Sequence, residues 1–116
     1  MSTIQRFQAG PRMSQAVVHG DTIYLAGQVA KDPPGNVTGQ TQAILSEIDR
    51  LLALCGSSKS RILSATIYLA DMKSFPDMNK AWDSWVVPGA TPARATVEAK
   101  LAGPEYLVEI AVIAAK

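Results

Sequence analysis

The chain has 116 residues, 47% of them hydrophobic, with 11 basic and 10 acidic residues for a formal net charge of +1. That length fits one compact domain over residues 1–116, and the apolar fraction builds a core without disulfides or metal. The near-balanced charge argues against a protein that lives on nucleic acid. The single cysteine, Cys55, excludes an internal disulfide, Met1 to Gly10 lack the apolar core of a signal peptide, and no run nears the roughly 18 apolar residues of a membrane span; a cytoplasmic protein without a membrane partner is expected.

A short first strand is expected near Ile4 to Phe7. Two further β-prone runs, Ala16 to His19 and Thr22 to Val29, are separated by Gly20-Asp21, the mark of a hairpin. Along the second run Ile23, Leu25, Gly27 and Val29 are expected to face one way, and Tyr24, Ala26 and Gln28 the other. Asp32-Pro33-Pro34-Gly35-Asn36 excludes regular structure and reads as a surface loop. Ile44, Ile48, Leu51 and Cys55 then recur at helical spacing, widened by Leu45 and Leu52. Thr38 or Thr41 is the expected cap of this helix, and Gly56 its stop.

Ile62 to Leu69 alternates as a strand, with Leu63, Ala65, Ile67 and Leu69 expected on one face. Phe75, Met78, Trp82 and Trp85 mark a second helix, with Pro76 in its first turn and Val87-Pro88-Gly89 at its end. Arg94 to Lys100 and Tyr106 to Ala115 read as two last strands, joined by a hairpin loop at Gly103-Pro104. The order β-β-β-α-β-α-β-β predicts an α+β fold with two helices on one face of a sheet. Both faces of the last strand are largely apolar. Two helices cover only one of them, so a partner subunit is expected on the other.

Strong chemical motifs are few. His19, the lone histidine, reads as a surface residue at a turn rather than a general base. One Cys and one His make no zinc constellation in a single chain. Cys55, on the buried stripe, reads as a small core hydrophobe. No phosphate-cradling glycine loop is present. Trp82 and Trp85 have the spacing of packing residues rather than ligand stackers. What stands out is Arg94 at the start of a strand and Glu109 inside the apolar run Leu107 to Ile113. A carboxylate there is costly unless paired, hydrogen-bonded or wet. Either the two form a structural salt bridge or lie on an exposed edge, or Arg94 grips a planar anion while Glu109 handles a proton.

At these positions the sequence resembles the RidA/YjgF family of reactive-intermediate, or enamine/imine, deaminases. The matching stretches are Ser14-Gln15-Ala16-Val17, Gly20 to Gln28, Tyr68-Leu69-Ala70-Asp71-Met72, Pro92 to Val97, and Val108-Glu109-Ile110 ahead of Ile113-Ala114. The resemblance runs from Gly10 to Ala114. It implies a chorismate-mutase-like fold, a mixed six-stranded sheet with two helices on one face, assembled as a homotrimeric barrel with sites between subunits. It also implies hydrolysis of 2-imino acids and enamines to 2-keto acids and ammonia, without a cofactor. Arg94 matches the arginine that binds the substrate carboxylate, and Glu109 the glutamate that positions the attacking water. Gly27 and Asn79 match residues near the cleft.

Three positions depart from the pattern. Met13 stands in place of a tyrosine, Ala26 in place of a serine, and Thr96 in place of a cysteine. Met13 and Ala26 remove hydroxyls from the pocket, whereas Thr96 retains one. These departures mark a divergent subgroup and keep a second function open: a non-catalytic binder of small carboxylates or a regulatory protein. RNA cleavage, a third reading that the family has carried, finds little support in the charge balance and the single histidine.

Overall fold

The computed structural model describes residues 3–116; Met1 and Ser2, the start of the N-terminal stretch read above, lie outside them. The strands are β1 (Ile4–Ala9), β2 (Ser14–His19), β3 (Thr22–Leu25), β4 (Ile62–Leu69), β5 (Ala93–Glu98) and β6 (Val108–Ala115), and the helices α1 (Val37–Leu54) and α2 (Phe75–Trp85). They join one six-stranded sheet in the order β1-β2-β3-β6-β4-β5. The pair β4/β5 is parallel and the other pairs are antiparallel, so the sheet is mixed as expected.

The hairpin at Gly20-Asp21 is present, with Gly20 at φ 62, a conformation that suits glycine at a two-residue turn. The hairpin expected at Gly103-Pro104 is not. β6 pairs with β3 and β4, and β4 lies between it and β5. Parallel neighbours need a crossover, which α2 supplies between β4 and β5. That places β5 at the edge, and the chain must cross to the middle of the sheet for β6. A central slot suits a strand that is apolar on both faces.

α1 is capped earlier than expected, two residues before Thr38 and five before Thr41. Asn36, the last residue of the Pro-Pro-Gly-Asn loop, accepts a hydrogen bond from Gly39 N at 2.6 Å. Thr41 lies inside the helix, buried, and its hydroxyl donates to Val37 O at 2.7 Å. The expected stop at Gly56 holds. Its φ is 82, its N–H donates to Ala53 O at 3.1 Å, and Ser57 N donates to Leu52 O at 2.8 Å. This paired closure satisfies two carbonyls of the last turn.

Ile44, Leu45, Ile48, Leu51, Leu52 and Cys55 are all buried, and with Met78 and Trp82 of α2 they meet Ala16, Val18, Ile23, Ile67, Val108, Ile110 and Val112 of the sheet. Leu63 departs from the expected strand face and is 53% exposed. A bulge between Ile62 and Ser64 shifts the register against β6, so Ile62 takes the core position. The face away from the helices carries cross-strand neighbours Val17, Tyr24 and Ile113, then Thr66 and Ala111, then Tyr68 and Glu109. Tyr24 is 47% and Ile113 37% exposed in the single chain. This is the uncovered, largely apolar face that the last strand predicts. No helix among the described residues is long and apolar enough to cross a membrane.

Candidate functional site

Arg94 lies on the edge strand β5 in register with the buried Ala65, so its side chain leaves the sheet on the helix-covered side. There its Cζ lies 5.3 Å from the centroid of the Trp82 ring and 5.8 Å from that of Phe75. Both distances are within reach of a cation–π attraction, which holds the planar guanidinium against the rings while leaving its donors free. Phe75, Asn79 and Trp82 are spaced i, i+4, i+7 on α2, so Asn79 shares their stripe. Thr96 follows Arg94 by two residues and faces the same way. Its Oγ1 is buried without a hydrogen-bond partner, a state that ordinarily signals a missing partner.

Glu109 lies on the other side of the sheet, opposite Tyr68 in the β4/β6 ladder. Among the described residues the one ion pair is Glu47 with Arg50. The salt bridge between Arg94 and Glu109, one of the two readings of the sequence, is therefore not made within a chain. The sheet itself separates the two groups.

What lies beside Glu109 is Gly27. β3 ends at Leu25, and Ala26 N then donates to Gln15 O at 2.9 Å. The chain rejoins the sheet at Gln28, which exchanges backbone hydrogen bonds of 2.8 and 3.0 Å with Ile110. The alternation expected through Val29 breaks at this gap. Gln28 is buried and Gly27 exposed, the reverse of the expected phase. Burying the amide is tolerated because its Nε2 donates to Gln15 Oε1 at 3.0 Å and to Ala26 O at 2.9 Å. Gly27 and Met13 line one cleft of about 460 Å³, together with Gln15, Gln28, Val29 and Lys31.

The seven residues singled out in the sequence thus fall into two groups. Arg94, Asn79 and Thr96 stand on the helix-covered side at the β5 edge; Glu109 lies on the other face with Gly27 against it and Ala26 adjoining, and Met13 lines the cleft beside Gly27. Phe75 and Trp82 as a shelf for Arg94 were not foreseen as site residues. The signal was the β4-α2-β5 order, since a parallel crossover lays α2 over β5. Of the others weighed, His19 is exposed at its turn. Cys55 is buried, and burial pushes its thiol up. Trp85 packs against Trp82 with ring centroids 5.4 Å apart, and its indole N–H donates to Asp49 at 3.0 Å.

The family model described as Endoribonuclease L-PSP matches residues 3–116. A RutC family protein from Haemophilus influenzae is 50% identical over 113 residues, covering 97% of this chain and 97% of that protein. RutC family protein YoaB from Escherichia coli is 48% identical over 113 residues, covering 97% of this chain and 98% of that protein. The solved structure of a YjgF family member from Neisseria meningitidis superposes with a TM-score of 0.96 at 47% identity, covering 98% of this chain and 95% of that one. These matches span almost the full length of both chains. The chain belongs to the Endoribonuclease L-PSP family, that of the RutC and YjgF proteins.

Proposed function

We propose that this chain is a cytoplasmic hydrolase of reactive 2-imino acids and their enamine tautomers, yielding 2-keto acids and ammonia. Its sites form between copies of a homotrimer. The observation that carries the reading is Arg94: a guanidinium held against Trp82 and Phe75, in no ion pair among the described residues, with the partnerless Thr96 hydroxyl two residues away. Its fork matches a carboxylate with two parallel hydrogen bonds. Glu109 cannot join it within one chain, because the sheet intervenes, so a second copy supplies the carboxylate. The apolar open face provides the surface through which copies meet.

In this assembly Arg94 binds the substrate carboxylate and fixes the neighbouring C=N carbon. Glu109 accepts a hydrogen bond from a water and orients its oxygen toward that carbon. The C–O bond forms, the C=N π pair passes to nitrogen, and nitrogen collects the two protons of water. The C–N bond then breaks, releasing ammonia and leaving the keto acid. The imine is already electrophilic, so orientation supplies most of what the reaction needs. Gly27, Asn79, Thr96, Ala26 and Met13 line the substrate.

The test is release of 2-keto acid from 2-iminopropionate generated in a coupled assay. Arg94→Ala abolishes the acceleration; unchanged turnover refutes the assignment. A second reading, a non-catalytic binder of small carboxylates, is favoured by Met13 and Ala26, neither of which brings a hydroxyl to the pocket. It is recognised by Arg94-dependent binding of keto acids in calorimetry with no acceleration of imine hydrolysis. RNA degradation that persists in Arg94→Ala after repurification is the result that favours nuclease activity instead.

A further inference from the structure

The cleft beside Gly27 carries a charge pattern that imine hydrolysis alone does not require. It measures about 460 Å³, and Gly27 on its wall lies against the Glu109 carboxylate. Gly27 thus joins the Glu109 carboxylate, which does not itself line the cleft, to the cleft wall. A second cleft of about 620 Å³ continues from it, sharing Gln28, Val29, Lys31 and Glu47 and adding Arg50.

Three charged side chains line the pair: Lys31, Glu47 and Arg50. Glu47 is occupied, since its carboxylate accepts hydrogen bonds from Arg50 Nε and Nη2, and Arg50 also reaches Gln8 Oε1 at 3.2 Å. Lys31 forms no ion pair among the described residues. The trio carries one positive charge in excess, and Lys31, which also acts on the Glu47 carboxylate through space, is the cation outside the ion pair. Gln15 gives its amide oxygen to Gln28, and its amide nitrogen makes no hydrogen bond among the described residues. Met13, 57% exposed, and Val29 supply apolar surface to the cleft lining.

We propose that this cleft takes the substrate's side chain and that the preferred substrates are 2-imino acids with a second carboxylate at the end of a short methylene stem. Met13 and Val29 contact the stem, while Lys31 and the Gln15 amide nitrogen meet the terminal carboxylate. A purely aliphatic side chain covers the same cation and amide and gives them nothing in return, which is how a polar cleft discriminates. The inference rests on the proposed reading of the Arg94–Glu109 site and adds its substrate class.

The experiment is titration calorimetry of the assembled protein with two product-side probes, 2-oxoglutarate and 2-oxobutyrate. The expected preference for 2-oxoglutarate is about fivefold, as for a partly exposed ion pair. Lys31→Met brings the ratio to about one, and Lys31→Glu inverts it, as loss and reversal of a single ion pair require. Equal affinities in the unaltered protein, or a preference that survives Lys31→Met, overturn the side-chain assignment. Arg94→Ala separates this failure from a deeper one. If it weakens both probes while their ratio stays at one, only the substrate class is wrong. If it weakens neither, the carboxylate site itself is wrong and the inference falls with it.

Discussion

A Cβ placed on Gly27 would lie 3.1 Å from Glu109 Cδ and closer still to Oε2. Gly27 does not have a positive φ, so what requires glycine there is space for the carboxylate rather than backbone freedom. The gap after β3 and the rejoining of the sheet at Gln28 bring the two residues together.

Gly27→Ala follows as a probe of that space. The carboxylate must swing aside, and with it the water that Glu109 is proposed to orient. The fold should be retained, since the displaced atoms end a flexible side chain, while kcat for imine hydrolysis falls about a hundredfold, as for a displacement on the order of 1 Å. Gly27→Ala with full activity and unchanged melting would show that Glu109 does not need this position.

Phe75 tests the shelf beneath Arg94. It is 37% exposed, so Phe75→Leu disturbs the core little, yet it removes one of the two ring faces near the guanidinium. Loss of a partly exposed cation–π contact corresponds to roughly a two- to fivefold weaker keto-acid affinity. Arg94→Lys retains charge but not the fork, and should cost about tenfold or more. Calorimetry on both variants decides the matter, and affinities equal to that of the unaltered protein contradict the shelf.

Gln40 holds two loops at once. It is fully buried, donates to Pro34 O at 2.8 Å and Glu105 O at 2.9 Å, and accepts from Leu107 N at 2.9 Å. Gln40→Leu strands all three backbone groups, at a cost of about 2–4 kcal/mol. Urea unfolding at a fixed protein concentration measures this. A loss below about 0.5 kcal/mol, the range of an ordinary surface change, would mean that the groups find other partners.

Acid should erase what Glu47 contributes. Its hydrogen bond from Arg50 holds the carboxyl below its ordinary value of 4.5. A folded pKa below the unfolded one means that the stabilisation is present above pH 4.5 and is lost as the pH falls through the folded value. Glu47→Gln should therefore melt below the unaltered protein at neutral pH, with the gap closing in acid. A gap that stays constant across that range would show that the pairing has no linkage to folding.

Hydrophobic periodicity marked both helices and the alternating strands such as β4, because a helix or strand that must bury one side repeats its apolar residues with its own period; β-prone composition and the turn residues Gly20-Asp21 marked the first hairpin. Gly56 and Gly20 were legible for an equally local reason, a backbone conformation that suits glycine. The apolar character of both faces of β6 foretold an uncovered sheet face. Arg94 and Glu109 stood out as charges in β-prone and apolar surroundings, and the order of the matching stretches pointed to the family.

Only the tertiary structure decided which strands are neighbours. Placing β4 between β5 and β6 replaced the local hairpin at Gly103-Pro104, since pairing depends on where α2 must pack and not on the residues of the loop. The cap at Asn36, the bulge at Leu63 and the reversed phase of Gly27 and Gln28 likewise answer to hydrogen bonds with distant segments. So does the division of the site. Position along the chain leaves Arg94 and Glu109 free to meet, but a pleated sheet sends residues in register with Ala65 and with Tyr68 to opposite faces. That geometry, fixed by long-range pairing, is what requires a second copy of the chain to complete the proposed site.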